Sequence, residues 1–457
     1  MSKEFETTNG KARESWANKF GFIMATAGFA IGLGNIWRFP YMTGMNGGGA
    51  FLLVYLLVCL IICIPLFTAE ISLGRKTQLT PIEGMRKLTK KGGVWTLIGW
   101  FGVISALIIM SYYLMIMGWI LAYLFKIVSG QFTGVSAEQI GAAFGNFIAQ
   151  PVPVAAYTLA VIVMLGLIVT RGLKDGIEKS CKIMMPLLFV FLIALAIRSL
   201  TFPGALAGLK WYLTPDISKI NANVVLAALG QAFYSIGVGM AAAYVYGSYL
   251  HPTESDVPGG AATIVAFDTL AAFIAGLVIF PALFAFGLEP NAGAGLLFVT
   301  MTNLFSQIPG GSLFGGAFFF LVMLAGLTSG IGLLEAVVAS VIDSYNISRK
   351  KAVWGSLAIM FVLGIPTILS CGPWANVLLF GKNFFDLADY VSGNVLLTAG
   401  ALLLAIYTAF VWKFENFRDE TNIGAAGFKV ANWWKPFVTY LIPVAVFLIM
   451  VRGLGIF

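Results

Sequence analysis

Charge is what this chain has least of. Only 11% of its 457 residues are Asp, Glu, Lys or Arg, 59% are hydrophobic, and the mean hydropathy is +0.90. Soluble domains carry about 25% charged residues, so a water-soluble fold is excluded. Histidine is almost missing. His251 stands alone beside Pro252, which leaves no histidine cluster for a catalytic or metal centre. The four cysteines (Cys59, Cys63, Cys181, Cys371) show no metal-ligand spacing. Cys59 and Cys63 lie one helical turn apart in an apolar run and read as buried thiols. The short alternating segments of a membrane β-barrel are also missing. Residues 1–18 are polar and do not read as a cleavable leader.

What is present is a series of long apolar runs, each of the roughly 20 residues that cross a bilayer as a helix. They fall near 20–43, 49–74, 94–126, 152–170, 183–203, 222–250, 260–288, 313–345, 352–370, 391–412 and 436–454. A further stretch at 296–305 is too short to cross. The net charge of +8 follows from topology and does not imply a nucleic-acid partner. Of 28 Lys and Arg, 21 fall on the N-terminal tail and alternate loops, among them Arg75, Lys76, Lys174, Arg349 and Lys435. The positive-inside rule then puts the N-terminus in the cytoplasm and, after eleven spans, the C-terminus outside. A multi-pass protein of the cell membrane is expected, with the lipid bilayer as its solvent.

Two spans are interrupted. Gly28 to Phe51 reads GFAIGLGNIWRFPYMTGMNGGGAF, and residues 230–249 read GQAFYSIGVGMAAAYVYGSY. Irregular backbone at membrane depth is tolerated only where it is buried in protein or lines a cavity. The breaks occur in the first and sixth spans, and the two five-span halves start on opposite sides of the membrane. Discontinuous helices at matching positions point to a transporter's midplane site. An enzyme would need a catalytic set within the spans, and the charged residues there (Arg38, Glu70, Asp268, Glu335) do not form one. A channel would need a continuous polar lining, whereas the polar groups gather at one depth.

The first-helix segment AGFAIGLGNIWRFPYMTGMNGGGAF closely resembles the signature of the neurotransmitter:sodium symporter family. The likeness extends through GQAFYSIGVG, AGLTSGIG at 325–332 and FFDLADYVSG at 384–393. The resemblance implies an all-α membrane protein with a ten-helix core of two inverted five-helix repeats, broken first and sixth helices, and here an eleventh helix, as in some bacterial members. The expected divisions are a tail at 1–18, repeats at 19–203 and 222–412, an outer loop at 204–221, a cytoplasmic loop at 413–435 and the last helix within 436–457. The implied activity is sodium-coupled symport of hydrophobic L-amino acids, by a monomer or weak homo-oligomer. A proton-coupled carrier of the same fold stays open as the alternative.

By the same resemblance, one sodium site takes the Ala30 carbonyl, Asn35, Ser235 and Asp268, completed by the substrate carboxylate. A second takes the Gly28, Ile31 and Ala325 carbonyls with the hydroxyls of Thr328 and Ser329. Asp268 departs from the Asn common in relatives. Its fixed charge replaces the anion that chloride-dependent relatives bind, so two Na+ and no chloride are expected. Substrate contacts are expected from Ala30, Gly32, Leu33, Gly34, Ile109, Tyr113, Tyr234, Ser235, Gly237, Met240, Ser329 and Leu333. The outer gate is expected from Arg38, Asp389 and Gln231, the cytoplasmic gate from Arg13, Asp343, Trp16 and Tyr249, and a hinge in the fifth helix from Gly176 and Pro186.

Overall fold

The computed structural model describes residues 5–6, 12–89, 93–289 and 295–456; Phe5, Glu6, Ala12 and Arg13 are described by backbone alone, as a two-residue antiparallel ladder. Most of the rest is helical. Nine helices are long and apolar enough to cross a membrane, among the described residues: Gly49–Thr77, Val94–Val128, Pro151–Thr170, Leu173–Leu200, Val257–Ala285, Gly311–Tyr345, Arg349–Ser370, Phe384–Thr421 and Asn432–Gly453. The bent pair Lys19–Ala30 and Gly34–Met45 adds a tenth. Ala222–Ile236 and Ala242–Ser248, each too short alone, make the split sixth span.

Helices apolar on every side sort by what they touch. The most apolar stretches of Gly49–Thr77, Val94–Val128 and Gly311–Tyr345 are 72%, 83% and 89% buried, so these form the core with the two broken spans. Pro151–Thr170, Leu173–Leu200 and Arg349–Ser370 are less than half buried and present Leu167, Val190, Ile197 and Val362 outward, as lipid-facing helices do. The short apolar stretch becomes two buried helices, Leu296–Thr300 and Met301–Gln307, whose Phe298 stacks on Phe144 with ring centroids 4.9 Å apart.

The first span starts at Asn18, whose side chain accepts from the Gly21 N–H at 2.8 Å. It stops at Ile31, which is extended (φ −77°, ψ 97°), and resumes with a 51° bend. The sixth stops at Gly237 (φ +73°), then passes Gly239 (φ +81°) and Ala241 (φ +65°) before resuming. Three left-handed residues within five positions suit glycine at two of them. The fifth span begins at Leu173, ten residues before the expected 183. Its first turns carry Lys174, Asp175 and Glu178, which hid the helix, but Glu178 is buried and paired with Lys182 at 2.5 Å. Arg75, fully buried at the end of the second span, donates to the carbonyls of Ser255 and Ile423 at 2.8 Å each and to Glu420, tying together three distant segments.

Candidate functional site

The first break is stitched by Asn35. In a continuous helix the Gly32 N–H would donate to the Gly28 carbonyl and the Asn35 N–H to Ile31. Here Gly32 N–H donates to Asn35 Oδ1 at 3.0 Å, and Asn35 N–H donates to the Gly32 carbonyl at 3.2 Å. The carbonyls of Gly28 and Ile31 thereby lose their helical donors. The amide of Asn35 donates to Asp268 Oδ1 at 2.7 Å and to the Asp268 carbonyl at 3.0 Å. Ser235, in the last turn before the second break, donates to both Asp268 oxygens at 3.1 and 3.2 Å. The carboxylate therefore joins the two breaks, and all three side chains are buried.

Thr328 sits against Gly28; a Cβ on Gly28 would stand 3.0 Å from its Cβ. Its hydroxyl donates to the Leu324 and Ala325 carbonyls at 3.1 Å each, leaving its lone pairs free. Ser329 likewise faces Gly32. Both clusters offer only oxygen, from carbonyls, hydroxyls, an amide and one carboxylate. Among the described residues no cluster of three His, Cys, Asp or Glu is placed to hold a metal ion. Such a donor set fits a hard alkali ion and not a soft transition metal.

Beside these clusters is a cavity of about 30 Å³, close to the space of a single water. Its lining contains Ala30, Gly32, Leu33, Gly34, Ile109, Tyr113, Tyr234, Ser235, Gly237, Met240, Ser329 and Leu333. It also contains Phe29, which the sequence reading omitted. No charged side chain lines it. Tyr113 donates to the Gly326 carbonyl at 3.3 Å.

Leu33 and Tyr234 also line a second, larger cavity of about 510 Å³, with Arg38, Tyr112 and Asp389. Arg38 donates to Gln231 Oε1 at 2.8 Å and lies 4.5 Å over the Tyr234 ring. Gln231 in turn donates to the Gly34 carbonyl at 2.9 Å. Asp389 accepts from the Tyr112 hydroxyl at 3.0 Å. Arg38 and Asp389 thus face one cavity, but each is held by another partner. Among the described residues no ion pair joins them.

At the other end, Trp16 donates to the Tyr246 carbonyl at 3.0 Å and packs on Tyr249. Tyr249 donates to Glu335 at 2.7 Å, and Glu335 pairs with Arg349 at 2.6 Å. Arg349 also reaches Glu14 at 3.2 Å. Asp343 accepts from the Thr80 N–H at 2.9 Å. The side chain of its expected partner, Arg13, lies outside the described residues. Gly176 sits in a π-helical turn, Leu173–Glu178, and Pro186 is inside the helix that continues it. Glu14 accepts from the Leu173 N–H at 3.2 Å and Glu178 from the Ala17 N–H at 2.9 Å, so tail and fifth helix clasp each other.

Two half-broken helices meeting at buried oxygens beneath a wide cavity are the anatomy of an ion-coupled secondary carrier. The chain belongs to the sodium:neurotransmitter symporter family, which it matches over residues 13–140 and 148–456. It is 40% identical over 442 residues to the uncharacterized sodium-dependent transporter YhdH of Bacillus subtilis, covering 96% of this chain and 98% of that one. It is 36% identical over 462 residues to an uncharacterized sodium-dependent transporter of Haemophilus influenzae, covering 98% and 100%. The fold matches the crystal structure of MhsT in complex with L-phenylalanine, with a TM-score of 0.87 and 40% identity over 97% of this chain and 100% of that one. The protein is therefore an integral membrane, sodium-dependent symporter and not an enzyme. Its fold is the inverted-repeat helical core with an added eleventh helix.

Proposed function

We propose that this symporter carries hydrophobic L-amino acids, aliphatic and aromatic, into the cell together with two sodium ions and without chloride. The observation that carries the reading is the joining of Asn35 and Ser235 by the Asp268 carboxylate beside an uncharged cavity. One fixed negative charge there balances one sodium without a mobile anion. The lining offers a zwitterion's side chain apolar groups only, and no partner for a charged tail. The L-phenylalanine complex of the structurally similar MhsT supports the substrate class.

In this reading Ala30, Asn35, Ser235 and Asp268 hold one sodium with the substrate carboxylate. Gly28, Ile31, Ala325, Thr328 and Ser329 hold the other. Phe29 must swing for a large side chain to enter, because the cavity as it stands holds little more than a water. Arg38 and Asp389 close the outer cavity when each leaves its present partner. Arg13 with Asp343, and Glu335 with Arg349, close the cytoplasmic end. The repeats at 19–203 and 222–412 rock about the site, with Gly176 and Pro186 letting the fifth helix loosen. The tail at 1–18 and the loop at 413–435 lie in the cytoplasm, 204–221 and the end of the last helix outside, and the unit is a monomer or weak homo-oligomer.

The experiment is uptake of labelled leucine and tryptophan into proteoliposomes. Uptake is expected with an inward sodium gradient, with gluconate replacing chloride, and substrate affinity is expected to rise with sodium, as linkage requires. Uptake driven by a proton gradient without sodium would instead favour a proton-coupled carrier, the reading that a buried carboxylate at Asp268 also allows. Collapse without chloride would overturn the charge argument.

A further inference from the structure

The connection between Arg349–Ser370 and Phe384–Thr421 is unusually apolar for a loop: residues 374–380 read WANVLLF. Leu379 and Lys382 close a hairpin, Leu379 N–H donating to the Lys382 carbonyl at 2.8 Å and Lys382 N–H to Leu379 at 3.0 Å. Phe380 and Gly381 fill its two-residue turn at φ +52° and +76°. Such turns favour Asn-Gly or Asp-Gly, because both central residues are left-handed. A phenylalanine at the first position is strained, and its ring gains no packing in return, being 96% exposed. Leu378, Val377 and Leu379 are also exposed, and Trp374 is partly so, packing on Phe384 with ring centroids 5.7 Å apart.

Chain length keeps this hairpin near the bilayer. Phe380 is four residues from the helix beginning at Phe384, so the two are at most about 14 Å apart. The exposed apolar side chains of Ile359, Val362 and Leu363 already form a lipid-facing surface on the ninth span, and Trp374 follows that span's end by four residues.

We propose that the Trp374–Lys382 hairpin is a membrane-interfacial anchor, seating Leu378 and Phe380 among the phospholipid headgroups and upper acyl chains at that end of the bundle. The apolar tip continues the lipid-facing belt of the ninth span. Tryptophan is suited to the headgroup level. Lys382, whose ammonium lies 5.1 Å from the Tyr390 ring centroid, supplies a cation at the same level for lipid phosphate. A second copy is the poorer occupant, since stable protein interfaces take about 20–30 residues a side and the hairpin offers one short strand pair. The strained phenylalanine is kept for what it touches in lipid, not for folding.

The test uses the full chain with Cys371→Ser, the other cysteines being buried, and an environment-sensitive fluorophore on Leu378→Cys. The protein is placed, one copy per disc, in nanodiscs of phosphatidylcholine and phosphatidylglycerol carrying a nitroxide near the headgroup or near the chain end. Blue-shifted emission is expected, with at least a halving of intensity by the shallow nitroxide and a smaller loss from the deep one. Emission like that of a fluorophore on Ser218→Cys in the exposed loop, unaffected by either nitroxide, would overturn the proposal. So would a blue shift that appears only with two copies per disc, which would assign the tip to a second chain. Phe380→Asp in the labelled protein is expected to remove most of the quenching. Phe380→Gly, which relieves the turn, is expected to reduce it while leaving the melting temperature in detergent no lower than before. A fall in melting temperature with quenching intact would show that Phe380 serves folding.

Discussion

The two helix breaks look alike in sequence and are built differently. The first is opened by a side chain: Asn35 takes the Gly32 N–H, and the Gly28 and Ile31 carbonyls are freed. The second is opened by backbone: Gly237, Gly239 and Ala241 turn left-handed, and a carboxylate from the second span, Glu70, accepts from the Gly239 N–H at 2.9 Å. One break therefore offers acceptors to its surroundings, and the other offers a donor that the protein already satisfies. Cation ligands should then come mainly from the first break, with the second contributing geometry and the Ser235 hydroxyl.

The largest effect should come from the group that joins both breaks. Asp268→Asn removes the charge that accepts from Asn35 and Ser235, and hydrogen bonds to a charged group are worth about 1.5–3 kcal/mol each. Sodium-driven uptake should fall to background. Asp268→Ser should also be nearly inactive but partly restored by chloride. Unchanged uptake by the Asn variant would show that the breaks do not share a charge.

Glu70 separates the second break from the first. Glu70→Ala leaves the buried Gly239 N–H without its acceptor, a loss of about 1–3 kcal/mol, whereas Glu70→Gln keeps an acceptor. Thermal unfolding in detergent should place the Ala variant clearly below the Gln variant. Equal melting temperatures would mean that the left-handed residues hold the break without help.

Gly237 sets the breaks against each other. A Cβ there would stand 2.5 Å from Cζ of Phe29, and its φ of +73° already disfavours a side chain. Overpacking of this kind typically costs about 1–3 kcal/mol. In competition uptake, Gly237→Leu should lose tryptophan more than alanine or valine. An equal loss for all three would assign Gly237 to backbone geometry alone.

The smallest effect is expected outside both breaks. Tyr112→Phe removes the hydroxyl that holds Asp389, a bond worth about 0.5–1.5 kcal/mol. If Asp389 must leave Tyr112 to reach Arg38, the variant should close the large cavity more readily, read as slower labelling of a cysteine placed there. Faster labelling would show that the tyrosine helps closure.

Local signals made most of this legible. The spans follow from apolar runs, and the Gly-rich interruptions mark the breaks because few other residues let a membrane helix open. What the sequence hid depends on facing and distance. Tyr112 and Tyr113 are neighbours in one helix, about 100° apart around it, so one faces the large cavity and the other the small one. Glu335 and Arg349 are fourteen residues apart across a helix boundary, and Arg349 read as a loop charge. Phe29 is flanked by residues assigned to sodium, and nothing in its local sequence shows that its ring turns toward Gly237. The charged start of the fifth helix read as loop because Lys174, Asp175 and Glu178 interrupt the apolar run, and the hydrogen bond that ties Glu178 to the tail joins residues 161 positions apart.

Arg75 carries a consequence for how the chain is made. Its guanidinium is buried against the carbonyls of Glu420 and Ile423, which lie 345 and 348 residues later. At a synthesis rate of about 5–20 residues per second, those partners emerge roughly 20–70 seconds after the arginine. The Ser255 carbonyl arrives 180 residues after the arginine, so until residues 420 and 423 follow the guanidinium has only one of its three carbonyl partners. The end of the tenth span and the residues just after it are thus a late-arriving lid on an early charge, and a chain cut short before residue 420 would leave that end of the bundle open.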